Sequence, residues 1–334
     1  MSGTSPNRYQ RVETSYDLER MHRTRICGTG DGGATQYYQD MARCGVGQFV
    51  LLDHDVVEEP NIGTQHVYLE DVGRAKVDCT ADRIIQINPD AHVEVCQKSL
   101  DEIDDDTFFR LAFAPIVWGR GENDGIPAPD ITLLCGFTDN FYAQARVNRL
   151  ALKFSLPSLC AGLYQYGQAG EITFTYPGIT PACQRCILSP RYKSYLERGY
   201  KNIVPVPSAG VPIFATQHVN ALKGMISLAL LHHGTDHPVW GQMLTRIGNR
   251  TLVQIRMHPD APYKAFAQVL SGADTSRLFF GEAVWLPQEA DPKCPECKGT
   301  GNLLDAKGTF ADTRVMPGQA HPGSLDEIPD GVCW

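Results

Sequence analysis

The residues best equipped for chemistry lie in one run, from Arg25 to Gln65: RICGTGDGGATQYYQDMARCGVGQFVLLDHDVVEEPNIGTQ. An apolar stretch enters Gly28-x-Gly30-x-x-Gly33, a helical pattern follows, and a second apolar stretch ends at Asp53, 20 residues after Gly33. Glycines at this spacing let the backbone approach a phosphate. The helix N-terminus beyond them favours its negative charge, and the carboxylate accepts ribose hydroxyls. These residues predict a nucleotide site. Their spacing alone fits NAD as well as ATP, but the continuation DHDVVEEPNIGTQ is not what a dehydrogenase needs there.

A second group is four cysteines in two C-x-x-C pairs, Cys183/Cys186 and Cys294/Cys297, 108 residues apart and each near Pro or Gly. That is the knuckle spacing of a four-thiolate zinc site, which leaves no open coordination position and is structural. The alternative is two unrelated pairs of free thiols. The second pair, in CPECKGTG, is also similar to one zinc repeat of the J-domain chaperones, which use several where this chain has one.

The elements that must position these groups read as follows. From residue 23 to 96 the pattern is strand, helix, strand, loop, helix, strand. A helix is predicted over 72–87, where Val77, Ala81, Ile84 and Ile85 share a face. Asn88-Pro89 stops it, because the residue before proline avoids the helical region. A buried strand over 131–137 leads into Thr138-Asp139-Asn140 and a helix to about residue 154. Strands near 157–163 and 168–176 follow, the second antiparallel, then an extended crossing segment at 203–210. A long apolar helix runs from Pro212 to His233, and a strand covers 251–257. This alternation predicts an α/β fold: a Rossmann-like, mostly parallel sheet with helices on both faces, extended by antiparallel strands and a zinc knuckle. The expected organisation is an arm over 1–22 and a main domain over 23–260 with a Gly- and Pro-rich insertion at about 114–130. An extension over 261–304 carries the second cysteine pair, and a polar tail covers 305–334.

Composition narrows the class. With 334 residues, 43% hydrophobic and 20% charged, the chain has the makeup of a globule with a substantial core. A net charge of −8 with unclustered Lys and Arg argues against a duplex nucleic-acid partner, whose phosphates need a basic face. No apolar run approaches the roughly 20 residues of a bilayer span, and no apolar signal-peptide core opens the chain. The odd total of 11 cysteines fits a reducing compartment. A cytoplasmic protein, free of membrane and nucleic acid, is expected.

The run from Gly28 to Asn88, the Thr138-Asp139-Asn140 segment and the paired C-x-x-C motifs together resemble the ubiquitin-activating superfamily, whose bacterial members are the ThiF, MoeB and HesA proteins. The resemblance spans about residues 8–231 plus the late cysteine pair. It implies a homodimer that uses ATP and magnesium to adenylate the C-terminal carboxylate of a small ubiquitin-like or sulfur-carrier protein with a Gly-Gly-type tail, or of a peptide. Residue by residue it implies phosphates at Gly28, Gly30 and Gly33, and ribose at Asp53. Asn61 and Gln65 match the family's N-x-x-R-Q on the phosphate side. Lys76 would neutralise the triphosphate, and Asp139 would hold magnesium. Arg11 resembles an N-terminal arginine supplied by the partner subunit. Asp139, Lys76 and Arg11 are the catalytic residues it implies, and Cys183, Cys186, Cys294 and Cys297 the zinc ligands. The chemistry agrees, since a carboxylate attacking an α-phosphate joins two anions and needs positive charge and a metal.

Four departures accompany the resemblance. Thr64 and Gln144 stand where the family has arginine, although Asn148 fits. Asp31 puts a carboxylate in the phosphate loop, where it is expected to repel ATP. No cysteine lies between Cys186 and Cys294, so the crossing thioester or persulfide cysteine of many relatives is missing and the activated carboxylate should pass to a separate acceptor. These departures motivate a non-catalytic scaffold as the alternative, and the Asp53 spacing motivates an NAD-dependent oxidoreductase. Each residue also has an ordinary reading. Asp139 could cap a helix, Lys76 could be a solvated helix residue, and Asn61 and Gln65 could serve turns. Arg11 could be an arm charge. His232, His233 and His237 read as cationic caps of a helix end, and the acidic run 101–106 as a solvated helix start.

Overall fold

The computed structural model describes residues 8–116, 127–197, 210–259, 261, 263–269, 278–299, 301 and 313. Its strands are β1 (Thr24–Thr29), β2 (Gln48–Leu52), β3 (His92–Cys96), β4 (Ile131–Gly136), β5 (Ser158–Tyr164), β6 (Ala169–Thr175), β7 (Leu252–Arg256) and β8 (Glu282–Leu286). Its helices are α1 (Leu18–His22), α2 (Thr35–Arg43), α3 (Lys76–Ile87), α4 (Asp105–Phe113), α5 (Phe141–Phe154), α6 (Gln184–Ile187), α7 (Ser189–Glu197), α8 (Ile213–Leu231), α9 (Met243–Ile247) and α10 (Lys264–Val269). One sheet runs in the order β3-β2-β1-β4-β5-β6-β7-β8, parallel as far as β5 and antiparallel beyond it. The expected mixed sheet is therefore present.

Successive residues of a strand face opposite sides of its sheet. Ile26, Phe49, Leu51, Leu133 and Cys135 turn towards α2, α3 and α8, whereas Cys27, Val50, Leu52 and Leu134 turn towards α4 and α5. Covering both faces is what makes these strands continuous apolar runs. Because β1 lies between β2 and β4, the chain leaves it in both directions. The crevice at the carboxyl ends of β1 and β4 is the switch point where such sheets bind ligands.

Several expectations need correction. The helix expected over 72–87 begins only at Lys76, because Gly73 has φ +86° and Ala75 is extended. β8 was not foreseen: its five residues carry too short a pattern to stand out, and pairing with β7 supplies the order that periodicity lacks. Residues 8–22 are not a loose arm, since Met21 is fully buried and Arg20 Nε donates to Leu231 O. His232 secures the same junction as a neutral ring, not as a cation. Its Nδ1 donates to Leu228 O at 2.9 Å and its Nε2 accepts from Asp17 N at 3.0 Å, while burial pulls its pKa below the ordinary value. In the acidic run, Asp104 caps α4, but Asp105 is buried between Arg146 and Lys153 and also accepts from Thr313. Most of the 114–130 insertion, the 203–210 segment and the 305–334 tail lie outside the described residues. Among the described residues no helix is long and apolar enough to cross a membrane.

Candidate functional site

The glycine turn closes the end of β1. Gly30 adopts φ +87°, and a Cβ there would lie 2.6 Å from Phe137 O, so the turn packs directly on the end of β4. A Cβ on Gly28 would fall 2.1 Å from the Tyr38 hydroxyl, which admits only glycine. Beyond the turn α2 begins, and its N-cap, Ala34, offers no side-chain acceptor to the first-turn amides. Thr35 N turns back to Gly32 O, and the amides of Gln36 and Tyr37 are left available to an anion.

Asp53 stands at the end of β2 with Oδ2 accepting from Asp31 N at 2.6 Å and Oδ1 from Asp55 N at 2.9 Å. Its carboxylate is thereby oriented, with a lone pair on each oxygen left for a hydroxyl. Lys76, the first residue of α3, is largely buried and pairs with Asp55 Oδ2 at 2.8 Å. It is therefore not the solvated helix residue of the ordinary reading. Gln65 reaches the same loop, its Nε2 lying 3.0 Å from where a Gly32 Cβ would be, and its buried Oε1 has no hydrogen-bond partner. Asn61 serves its own turn, accepting from Glu58 N at 2.9 Å. Asp139 does not cap α5. Asn140 does, accepting from Tyr142 N and Ala143 N, so the Asp139 carboxylate is exposed at the mouth of the crevice. Gln144 spends its amide on Thr138 O at 2.6 Å. Arg146 cannot replace the missing arginine at position 144, because two residues turn a helix by about 200°. It is instead buried against Asp105, Leu100 O and Ile103 O.

Asp31 is not the exposed carboxylate that the sequence implies. Its side chain is only 1% exposed, and neither carboxyl oxygen has a hydrogen-bond partner. Burial, then the neighbouring Asp53, pushes its pKa well above the usual carboxylate value, with Thr80 and Lys76 offsetting part of the shift. A carboxyl driven towards its neutral acid repels a triphosphate far less than the sequence implies. Arg11 is exposed, three residues after Arg8. Arg8 binds Asn88 Oδ1 at 2.8 Å and Asp90 at 3.0 Å, and the Tyr9 hydroxyl donates to Ala42 O, all at the edge where the parallel strands begin.

The four cysteines of the two pairs converge. Sγ distances are 3.7 Å for Cys183–Cys186, 3.8 Å for Cys183–Cys294 and 3.5 Å for Cys186–Cys297, and all four sulfurs lie within 4.8 Å of one another. Sulfurs about 2.3 Å from a central zinc would stand about 3.8 Å apart at the corners of a tetrahedron, so the donor set fits that ion. Sequence reasoning missed the groups that orient the cluster. Asn148 Nδ2 donates to Glu296 Oε2 at 2.5 Å, its Oδ1 accepts from Gln184 N at 2.8 Å, and Arg185 pairs with Glu296 at 3.4 Å. Asn148 thus ties α5 to both knuckles, and the clue in the sequence was a carboxylate inside the second C-x-x-C. Glu296→Ala leaves Arg185 and Asn148 without their buried acceptor and is expected to cost about 3–5 kcal/mol. Chemical denaturation of the variant beside the native protein checks this.

This chain is similar to several known proteins. Ubiquitin-like modifier-activating enzyme 5 of Drosophila willistoni is 30% identical over 178 residues, covering 53% of this chain and 42% of that protein. The Caenorhabditis elegans protein of the same name is 29% identical over 181 residues, covering 53% and 41%. The chain therefore matches less than half the length of these curated relatives. Among solved structures, E. coli MccB with MccA aligns over 90% of this chain and 75% of its own at a TM-score of 0.55 and 15% identity. PaaA aligns over 85% of both chains at 0.51 and 17%. These two likenesses are of fold. The model of the ThiF family matches residues 9–243, a stretch that holds the glycine turn, Asp53, Lys76, Asp139 and the first cysteine pair, and the chain belongs to the ThiF family.

Proposed function

We propose that this chain binds ATP with magnesium at the glycine turn and adenylates the C-terminal carboxylate of a small ubiquitin-like or sulfur-carrier protein, or of a peptide. The observation that carries the reading is the convergence of the glycine turn, oriented Asp53 and Lys76 around one crevice, with the uncommitted carboxylate of Asp139 at the end of β4. The name of the curated relatives supports a protein substrate. E. coli MccB, solved with ATP at a TM-score of 0.52 and with MccA, supports ATP and a peptide as the partners of this fold.

In the reaction, an oxygen of the substrate carboxylate bonds to the α-phosphorus. The bond from that phosphorus to the α–β bridging oxygen breaks, and pyrophosphate leaves. Lys76 offsets negative charge on the phosphates, the first-turn amides of α2 hold them, and Asp53 fixes the ribose. Magnesium, held by Asp139, would supply the remaining positive charge. Zinc at the four cysteines would serve the fold alone. With no cysteine between Cys186 and Cys294, the acyl adenylate goes to a thiol or amine outside that stretch. Phe214, Ala221 and Met225, exposed at helical spacing on α8, fit the homodimer that belongs to this reading.

The chain with ATP, magnesium and carriers or peptides ending in Gly-Gly should exchange labelled pyrophosphate into ATP in a substrate-dependent way. Thr64 and Gln144 favour one rival, a scaffold that binds a carrier without activating it. Calorimetry separates the two: carrier binding without any ATP binding would make the scaffold correct.

A further inference from the structure

Helix α8 carries a buried polar stripe: Thr216, Asn220, Lys223 and Ser227 follow one another at helical spacing. This stripe is the back wall of the glycine turn. Asn220 Nδ2 donates to Gly33 O at 2.9 Å, and Thr216 Cγ2 lies 3.3 Å from the position of a Gly33 Cβ. Ser227 meets the Tyr37 hydroxyl of α2 at 2.7 Å. Lys223 lies between these anchors, 3% exposed, with its Nζ 3.6 Å from the centre of the Phe137 ring and 5.0 Å from that of Tyr37. Phe137 is the residue whose carbonyl supports Gly30 and whose chain continues into Thr138 and Asp139.

An ammonium buried this deeply is costly unless an anion compensates it. None of the salt bridges among the described residues includes Lys223, and two ring faces replace only part of its hydration. The groups facing it are the Cys135 thiol of β4 and the Tyr37 hydroxyl of α2, both held neutral because burial raises their pKa, while β5 and β6 present Leu159 and Ile172. Burial lowers the Lys223 pKa to about 7, against a small opposing effect of Cys135. The ATP-binding reading supplies such an anion, the triphosphate on the other side of the turn.

We propose that Lys223 is a positioning residue for the nucleotide, whose ammonium, charged in the ATP-bound state, holds the glycine turn and its phosphates from behind where Thr64 and Gln144 provide no charge. This rests on the ATP-binding reading above. The sign follows. Above pH 7 the free protein holds Lys223 mostly neutral, the triphosphate favours the charged form, and binding therefore draws in a proton and weakens as pH rises.

Calorimetric titration of ATP in two buffers of different ionisation enthalpy, at about pH 7.5, counts the protons taken up. The native chain should take up a fraction of a proton, and Lys223→Met, which keeps the shape, should lose that uptake. At pH 6.5 the variant should bind ATP about tenfold more weakly, as expected for one charge acting across a partly buried distance, while adenosine, which has no phosphate, binds equally to both. Lys223→Leu provides a second apolar variant should methionine disturb the fold. Equal proton uptake in native and variant chains, or equal losses for ATP and adenosine, would overturn the proposal and leave the ATP site standing. A native chain that binds no ATP would overturn both.

Discussion

Asp139→Asn is expected to lower substrate-dependent ATP–pyrophosphate exchange by about 10²- to 10³-fold, the loss typical when one charge-stabilising group leaves an active site. Its thermal midpoint should stay within about 2 °C of the native protein, since exposed positions without partners contribute little to stability. The division between activity and stability follows from geometry. Asn140 caps α5, Gln144 holds Thr138 O, and the Asp139 carboxylate takes part in neither contact. Asparagine keeps the shape and removes only the charge that a divalent ion needs. Exchange that survives the substitution would dismiss Asp139 as the magnesium ligand, and a large fall in midpoint would make its role structural.

Lys76→Met tests the same pocket from the opposite side, but less cleanly. Lys76 already pairs with Asp55, whose carboxylate is half exposed, so the substitution also frees an acidic group beside the phosphates. The pair is open to water on the Asp55 side, so its loss should cost the fold only about 1 kcal/mol. A loss of ATP affinity would thus combine a missing cation with an added anion, and Asp139 remains the sharper experiment.

The sequence disclosed the frame of this site more fully than its electrostatics. The turn was legible from the spacing of Gly28, Gly30 and Gly33 because each glycine answers a steric demand, against Tyr38, Phe137 O and Thr216 of α8. Periodicity found α3 and α8 for a similar reason, since an apolar face must meet the sheet. Asp31 was misjudged because the sign of a residue says nothing about its solvation: the same carboxyl repels ATP when exposed and approaches neutrality when buried next to Asp53. His232 was misjudged in the same way. Asn148 fitted the family pattern but sits by the cysteines, because α5 is long enough to start at the crevice and reach the cluster about two turns later. β8 was invisible because its order comes from pairing with β7, a contact between residues about 30 apart that local pattern cannot encode. Lys223 was legible only as an anomaly, the one Lys in the longest apolar run.

Stripping metal from the four-cysteine cluster should lower the thermal midpoint by more than about 10 °C, because structural zinc sites contribute folding free energy comparable with a domain's whole net stability. The cluster stitches α6 to a segment 108 residues later, and the described sequence between them includes α8, β7 and β8. Thiols would gain nothing from crowding at 3.5–3.8 Å with no disulfide between them, whereas that spacing suits four ligands of one tetrahedral ion. Cys183→Ser and Cys294→Ser should each reproduce the effect of a strong chelator, and a chelator should add nothing further to either variant. Elemental analysis of the purified chain should find one zinc per molecule, absent from both variants. The buried residues of the cores on both faces of the sheet all precede residue 256, so proteolysis of the stripped protein should cut first after residue 261, where the second cysteine pair resides. A metal-free chain with an unchanged midpoint would reduce the cluster to four free thiols and leave Glu296, with Asn148 and Arg185, as the group that holds this end of the fold together.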